Sequence, residues 1–255
     1  RLTAGMAKET KMGPAQTEYL KNLNGCIENL RAQAAQLDKA ARKIFDSLKN
    51  GGVLHVFGTG HAHMIAEELF HRAGGLIPVN AMLEEYLMPH MGPARSGPME
   101  RLPGLAKIIF DAHDLKKGEP FIAISNSGIN AVTVELAELA KAAGLFTIAI
   151  TSLTHSKAVP SRTGKKLYEI ADLVIDTGTP VGDASVAIKT SDVKVAPLSG
   201  AVGTIIAELL VCRVCELFSE EGLNPPVYQS ANTPGGDARN KLLEEKYRSR
   251  IARLK

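Results

Sequence analysis

The strongest constraint in this chain is a boundary that recurs. Between residues 53 and 221, short apolar runs empty into small, polar turns, and helices follow. VLHVFG (53–58) leads to Thr-Gly-His, FIAIS (121–125) to Asn-Ser-Gly, and LFTIAIT (145–151) to Ser-Leu-Thr; LVIDTG (173–178) closes the series. Continuously apolar runs of this length predict strands buried on both faces. Strands alternating with helices predict a parallel sheet covered on both sides, an α/β fold of three layers. Right-handed crossovers then leave few topologies. In such sheets a ligand binds beyond the carboxyl ends of the strands, where strand order reverses. LIPVN (76–80) predicts a further short strand, and its Pro78 suits an edge.

The flanks carry other signals. Residues 15–49 place Leu20, Leu23, Ile27, Leu30, Ala34, Leu37, Ala41, Ile44 and Leu48 at alternating steps of three and four. That spacing predicts one long amphipathic helix, ended by Asn50-Gly51-Gly52. Helices are also expected over 61–73, 105–113, 129–143, 165–171 and 200–221, the last capped by Ser199. Residues 81–118 interrupt the rhythm with Pro89, Pro93, Pro98 and Pro103, and read as a functional loop. The main domain is expected over 15–222. A Pro/Gly-rich connection and a basic terminal helix make an extension over 223–255, its Lys and Arg residues facing solvent.

Composition narrows the function. The 255 residues are 45% hydrophobic, enough for a substantial core, and 30 basic against 27 acidic residues leave a net charge of +3. No field for nucleic acid follows from that balance. No apolar run approaches the roughly 20 residues of a membrane span, and residues 1–16 lack the apolar centre of a signal peptide. Cys26, Cys212 and Cys215 fit a reducing compartment, so a cytoplasmic protein is expected.

Each candidate motif falls at a predicted strand end. Gly58-Thr59-Gly60 follows the first strand. As a dinucleotide fingerprint it is incomplete, because His63 stands where the third glycine belongs and the next strand ends in Asn80. A tight strand-to-helix turn is the simpler reading. Ser125-Asn126-Ser127-Gly128 opens a helix, whose first N–H groups are unpaired and whose dipole favours an anion. Two hydroxyls, a glycine allowing close approach and Asn130 nearby suit a phosphate monoester; plain capping by Ser127 accounts for one hydroxyl only. Thr151 and Ser152, with His155 beyond, are expected on the same rim. Lys165-Lys166 after Gly164 is no P-loop, since the upstream glycine and the following Ser or Thr are absent.

These strings resemble the SIS (sugar isomerase) domain. The stretches over 56–80, 122–132, 147–162 and 229–240 are similar to the UPF0309 group of bacterial SIS proteins. The resemblance implies a five-stranded, flavodoxin-like parallel sheet, carbohydrate-derivative binding, and a homodimer or homotetramer in which a neighbouring subunit can complete the site. It implies a phosphosugar partner with its phosphate at Ser125, Asn126, Ser127, Gly128 and Asn130, and its sugar near the turn from Gly58 to His61. Many SIS proteins carry serine where this chain has Ala62, which removes one sugar contact.

Aldose–ketose isomerisation through an enediol needs a base and a group that shuttles protons between oxygens. The resemblance directs attention to the segment after the second strand, so Glu84 is the expected base, with Glu85 as rival and His61 assisting at the carbonyl. Asn232, in a polar turn, is expected to cover the site. No cofactor is expected. Zinc is the alternative there, because His63 and Glu67 lie one helical turn apart. Two alternatives to isomerisation stay open: a sugar-phosphate sensor without turnover, and a lyase or deaminase acting on an amino-sugar phosphate.

Overall fold

The amino-terminal seam folds as two helices rather than one. In the computed structural model, which describes residues 11–254, α1 (Pro14–Ala32) and α2 (Ala34–Lys49) meet at Gln33, whose backbone leaves the helical region at φ −101° and ψ 24°. Residues 1–10, part of the stretch read above as lacking the apolar centre of a signal peptide, lie outside the described residues. The Gln33 carboxamide gives the physical reason for the break. It accepts from the Asp176 N–H and donates to the Asp176 carbonyl, each at 2.8 Å. A side chain thus supplies one more rung to the free edge of the last parallel strand, where unpaired backbone groups would otherwise stand.

The central elements follow in the predicted alternation. They are β1 (Leu54–Gly58), α3 (His63–Glu68), β2 (Val79–Ala81), α4 (Pro93–Met99), α5 (Leu105–Asp111), β3 (Pro120–Ile124), α6 (Ala131–Ala142), β4 (Phe146–Thr151), α7 (Leu153–Ala158), α8 (Leu167–Ile170) and β5 (Leu173–Asp176). The five strands are parallel in the order β2-β1-β3-β4-β5. This is the flavodoxin-like order, and its reversal falls between β1 and β3. A small antiparallel ribbon, β6 (Ala184–Val186) with β7 (Val195–Pro197), precedes α9 (Ser199–Glu220). The chain then reaches α10 (Gly236–Glu244).

Two apolar layers sandwich the sheet, making α/β/α. Val56, Ile122, Ile148 and Ile175 face α2, α3 and α9. Phe57, Phe121 and Ala149 face α5, α6 and α8. Phe45 of α2 meets Phe218 of α9 edge-on at 4.9 Å, a geometry worth about 1 kcal/mol beyond area burial. Gly203 of α9 leaves room for Ile65 of α3: an added Cβ would lie 2.1 Å from the Ile65 side chain.

Three expectations are corrected. The helix over 61–73 is short, ending at Glu68. The segment over 81–118 is not one irregular loop, since α4 forms with Pro93 in its first turn and Pro98 near its end. The basic terminal helix stops at Glu244, and Arg239 within it and Arg250 and Arg253 beyond it bond to the rest of the domain. Arg250 donates to both Glu119 oxygens at 2.9 Å and to Asp114 at 2.5 Å. Arg253 donates to the Leu83 carbonyl, and Arg239 to the Val227 carbonyl at 2.6 Å. Ile251 and Leu254 are buried against Val53. Residues 226–228 pair with residues 74–77. Among the described residues, no helix is long and apolar enough to cross a membrane.

Candidate functional site

A cleft of about 380 Å³ opens at the carboxyl ends of β1, β3, β4 and β5, at the reversal of strand order. The turn after β1 contributes Thr59, Gly60 and His61, and the loop after β3 contributes Ser125, Asn126, Ser127 and Asn130. All seven are among the residues expected at the site from the sequence.

Chain geometry explains how the 125–130 loop becomes a cradle. The Ser125 N–H continues the sheet ladder to the Ile150 carbonyl at 3.1 Å. Its hydroxyl accepts the Gly128 N–H at 3.1 Å, which leaves the hydroxyl proton free to donate outward. Asn126 is held from below, its Oδ1 accepting the Thr179 hydroxyl at 2.8 Å. Gly128 takes φ 63°, and an added Cβ would stand 3.1 Å from Leu167 and 3.2 Å from Thr151. α6 starts at Ala131, directly after Asn130 of the lining, so the positive end of its dipole lies beside the loop, although the Val132 N–H is already taken by the Glu100 carbonyl.

Several expected contacts lie elsewhere. Thr151 is buried, and its hydroxyl donates to the Asn126 carbonyl at 3.2 Å. Ser152 is buried too, donating to the Thr179 carbonyl at 2.6 Å and accepting the His155 N–H at 3.1 Å. Both brace the cradle from behind rather than line it. Gly58 is likewise structural, because an added Cβ would meet the Ala62 carbonyl at 2.6 Å. Asn232 sits exposed in a turn whose N–H reaches Ser230 at 3.3 Å, and it does not line the cleft.

Glu84 is also displaced from its expected place. Its Oε1 stands 3.4 Å from His113 Nε2, outside the cleft lining. The His113 hydrogen bond, against burial, holds this carboxyl below its ordinary range. Glu84 ends a buried chain of hydrogen bonds. Asn80 Nδ2 lies 3.0 Å from His55 Nδ1 and 3.3 Å from His113 Nδ1, and His55 Nε2 lies 2.8 Å from Glu119. One amide hydrogen to each ring leaves each Nε2–H for a carboxylate, which assigns both tautomers from the network.

Two carboxylates do line the cleft, Glu100 and Asp183, and Glu100 is the one beside the cradle. Its Oε2 accepts the Thr59 hydroxyl at 2.8 Å, and its carbonyl accepts the Val132 N–H of α6 at 3.2 Å. Glu100 therefore joins the β1 turn to the cradle. Sequence reasoning missed it, as it missed Asp183, Thr177 and Ser199 on the far wall. His155 does reach the lining; its Nδ1 accepts the Gly182 N–H at 2.7 Å, so the ring proton sits on Nε2.

The zinc candidates do not form a ligand set. His63 is buried with Nδ1 unpaired, whereas Glu67 is exposed. Burial, reinforced by Arg253, pushes the His63 imidazole down to about 4. Among the described residues, no three His, Cys, Asp or Glu side chains converge as metal ligands.

A doubly wound sheet with a hydroxyl-rich loop at its reversal point is the architecture of a SIS domain, and the chain belongs to that family: the SIS domain model matches residues 18–152. Its relatives include the UPF0309 protein of Geobacillus thermodenitrificans (strain NG80-2), 40% identical over 92% of this chain and 95% of that one. UPF0309 protein BH3325 of Halalkalibacterium halodurans is 40% identical over 91% of this chain and 97% of that one. The fold is similar to that of a phosphoheptose isomerase from Francisella tularensis, with TM-score 0.53 and 17% identity over 80% of this chain and 100% of that one. Phosphoheptose isomerase GmhA from Neisseria gonorrhoeae gives TM-score 0.50 and 15% identity over 79% and 98%. At such identities the likeness to these two structures is one of fold.

Proposed function

We propose that the cleft binds a phosphorylated sugar and interconverts its aldose and ketose forms through an enediol. The observation that carries this reading is the pairing of an anion cradle with a carboxylate in one cleft. The 125–130 loop supplies hydroxyl and amide donors, and Glu100 stands beside it, held by Thr59 at 2.8 Å. The two isomerase structures of similar fold lend support.

In this reading the phosphate takes the Ser125 and Ser127 hydroxyls and the N–H groups at the start of α6. The helix dipole contributes about 0.3–1 kcal/mol to an anion there. The sugar then extends toward Thr59, Gly60 and His61. Glu100 replaces Glu84 as the base: Thr59 holds Oε2, and Oε1 takes the proton from the carbon beside the carbonyl. The same carboxyl, its proton exchanging with solvent, then delivers a proton to the neighbouring carbon. His61 donates a proton to the carbonyl oxygen as the enediol forms and recovers one from the neighbouring hydroxyl as the product carbonyl forms. A positioned acid–base group of this kind contributes about 10²–10⁴-fold. Exposed apolar side chains, Ile108, Val193 and Leu242 among them, support assembly into a homodimer or homotetramer, which light scattering checks.

Ala62, with no hydroxyl beside the sugar, favours a second reading, in which the cleft binds without turnover. Incubating the protein with a panel of aldose and ketose phosphates in deuterated water separates the two. Isomerisation puts deuterium at carbon 2 of the recovered aldose and at carbon 1 of the ketose. Ligand protection without deuterium supports the sensor, and released ammonia or lactate supports the deaminase or lyase. Absence of both deuterium and any ligand protection overturns both readings.

A further inference from the structure

Two helix N-termini converge on this cleft, and the chain treats them oppositely. α6 begins behind the 125–130 loop, and α9 contributes Ser199 and Gly200 to the facing wall. Each carries about half a positive charge at its start, so either could receive an anion. At α6 no side chain caps the first turn, and the groups offered are neutral donors. At α9 the place is taken. Asp183 Oδ1 accepts the Leu198 and Ser199 N–H groups at 3.1 and 2.8 Å, and Oδ2 accepts the Ser199 hydroxyl at 2.6 Å.

The placement of Asp183 requires an uncommon backbone. Its φ is 68°, in the left-handed region that non-glycine residues seldom occupy. The turn that carries it is held by His155, which accepts the Gly182 N–H. The cleft therefore presents two carboxylates, Asp183 at the start of α9 and Glu100 beside the cradle, while among the described residues no lysine or arginine lines it. Arg162 donates to Asn130 Oδ1 at 2.6 Å but is not part of the lining.

We infer that the site selects sugars with a single anionic group, and that Asp183 is the specificity-determining residue that rejects a second phosphate or a carboxylate. The remainder of the accepted sugar is neutral or bears an amine. This rests on the proposed reading of the 125–130 loop as the phosphate site. Once a phosphate occupies that loop, a second anion on the same small molecule lies within the reach of Asp183 and Glu100. At an effective dielectric near 20, like charges roughly 8 Å apart repel enough to cost more than tenfold in affinity. Discrimination then comes from a built-in repulsion rather than an added contact. A sugar carrying a lactyl carboxylate is rejected on the same ground, which disfavours lactate elimination against isomerisation or deamination.

The test compares fructose 6-phosphate with fructose 1,6-bisphosphate by calorimetry, on the full chain and on Asp183→Asn. Asparagine keeps an oxygen for the two backbone N–H groups and removes the charge. The inference expects the wild-type protein to bind the monophosphate at least tenfold more tightly. It expects Asp183→Asn to shrink that ratio at least fivefold. Should the variant fail to fold, salt serves instead, because the wild-type ratio must fall between about 20 and 300 mM salt as screening shortens the Debye length. A ratio unmoved by the substitution and by salt, or a bisphosphate that binds wild type more tightly, overturns the role of Asp183 and leaves the phosphate cradle standing. Failure of both sugars and of inorganic phosphate to bind overturns the cradle and this inference together.

Discussion

Thr59 and Glu100, 41 residues apart in the chain, are joined by a 2.8 Å hydrogen bond at the edge of the cleft. The bond ties the glycine turn after β1 to the end of α4, and the Glu100 carbonyl ties both to α6. A carboxylate held in this way is oriented before any ligand arrives. Glu100→Gln keeps the shape and loses the base. We expect turnover to fall by about 10²–10⁴-fold with ligand affinity changed less than about threefold. Thr59→Val is expected to lower turnover by about tenfold. Steady-state rates and calorimetry on the same preparations check both. Equal losses in affinity and rate would assign Glu100 to binding.

The cradle makes a separate prediction. Ser127→Ala removes one neutral donor to a charged group, a contact worth about 1.5–3 kcal/mol. Phosphosugar affinity is expected to fall at least tenfold while the melting temperature stays within a few degrees. Gly128→Ala acts the other way. Its φ of 63° and the close Leu167 and Thr151 side chains predict a loss of about 1–3 kcal/mol in stability, read by urea unfolding.

Stability is expected to depend on pH in two windows. Burial lowers the His55 imidazole below its ordinary 6.5 despite the Glu119 hydrogen bond, and burial lowers His63 to about 4. Below pH 6.5 the unfolded chain binds protons that the folded chain refuses. The contribution of these groups is thus complete above about 6.5 and declines as pH falls toward 4, by on the order of 2–3 kcal/mol for His63. Burial would raise the Glu119 carboxyl, but bonds from His55 and Arg250 bring it to about 2. Its contribution is present above 4.5 and is lost between 4.5 and 2. Unfolding midpoints measured from pH 8 to pH 3 check the sign, and His63→Leu should flatten the upper window.

Arg250 fastens the carboxyl-terminal segment to the buried end of this network. Its removal leaves Glu119, 5% exposed, facing His55 without its cation. Arg250→Met is expected to destabilise the fold by about 3–5 kcal/mol and to raise hydrogen exchange over residues 251–254. Glu119→Gln with Arg250→Met should recover part of that loss, since the unpaired buried charge is gone.

How much of this was legible in the sequence follows from what each feature depends on. FIAIS marked β3 to within one residue because a buried strand needs only apolar side chains in series. Ser-Asn-Ser-Gly marked the cradle because the strand-to-helix boundary is itself local. Glu100 was hidden, since Pro93, Gly97 and Pro98 mask α4 and only packing brings its end to Thr59. Asp183 was hidden for a like reason: its partners lie 15 and 16 residues on, across the β6–β7 ribbon. Thr151 and Ser152 were placed at the correct strand end, yet a strand end does not say which way a side chain turns, and both turn inward. The break at Gln33 answers to Asp176, 143 residues away, which no local period records.

The most direct measurement is a crystal structure with a hexose 6-phosphate soaked into the cleft. The account predicts phosphate oxygens within about 3 Å of the Ser125 and Ser127 hydroxyls and of an amide at the start of α6, with the first carbons of the sugar turned toward Glu100. A phosphate seated at α9, or anywhere outside the 125–130 loop, would contradict it.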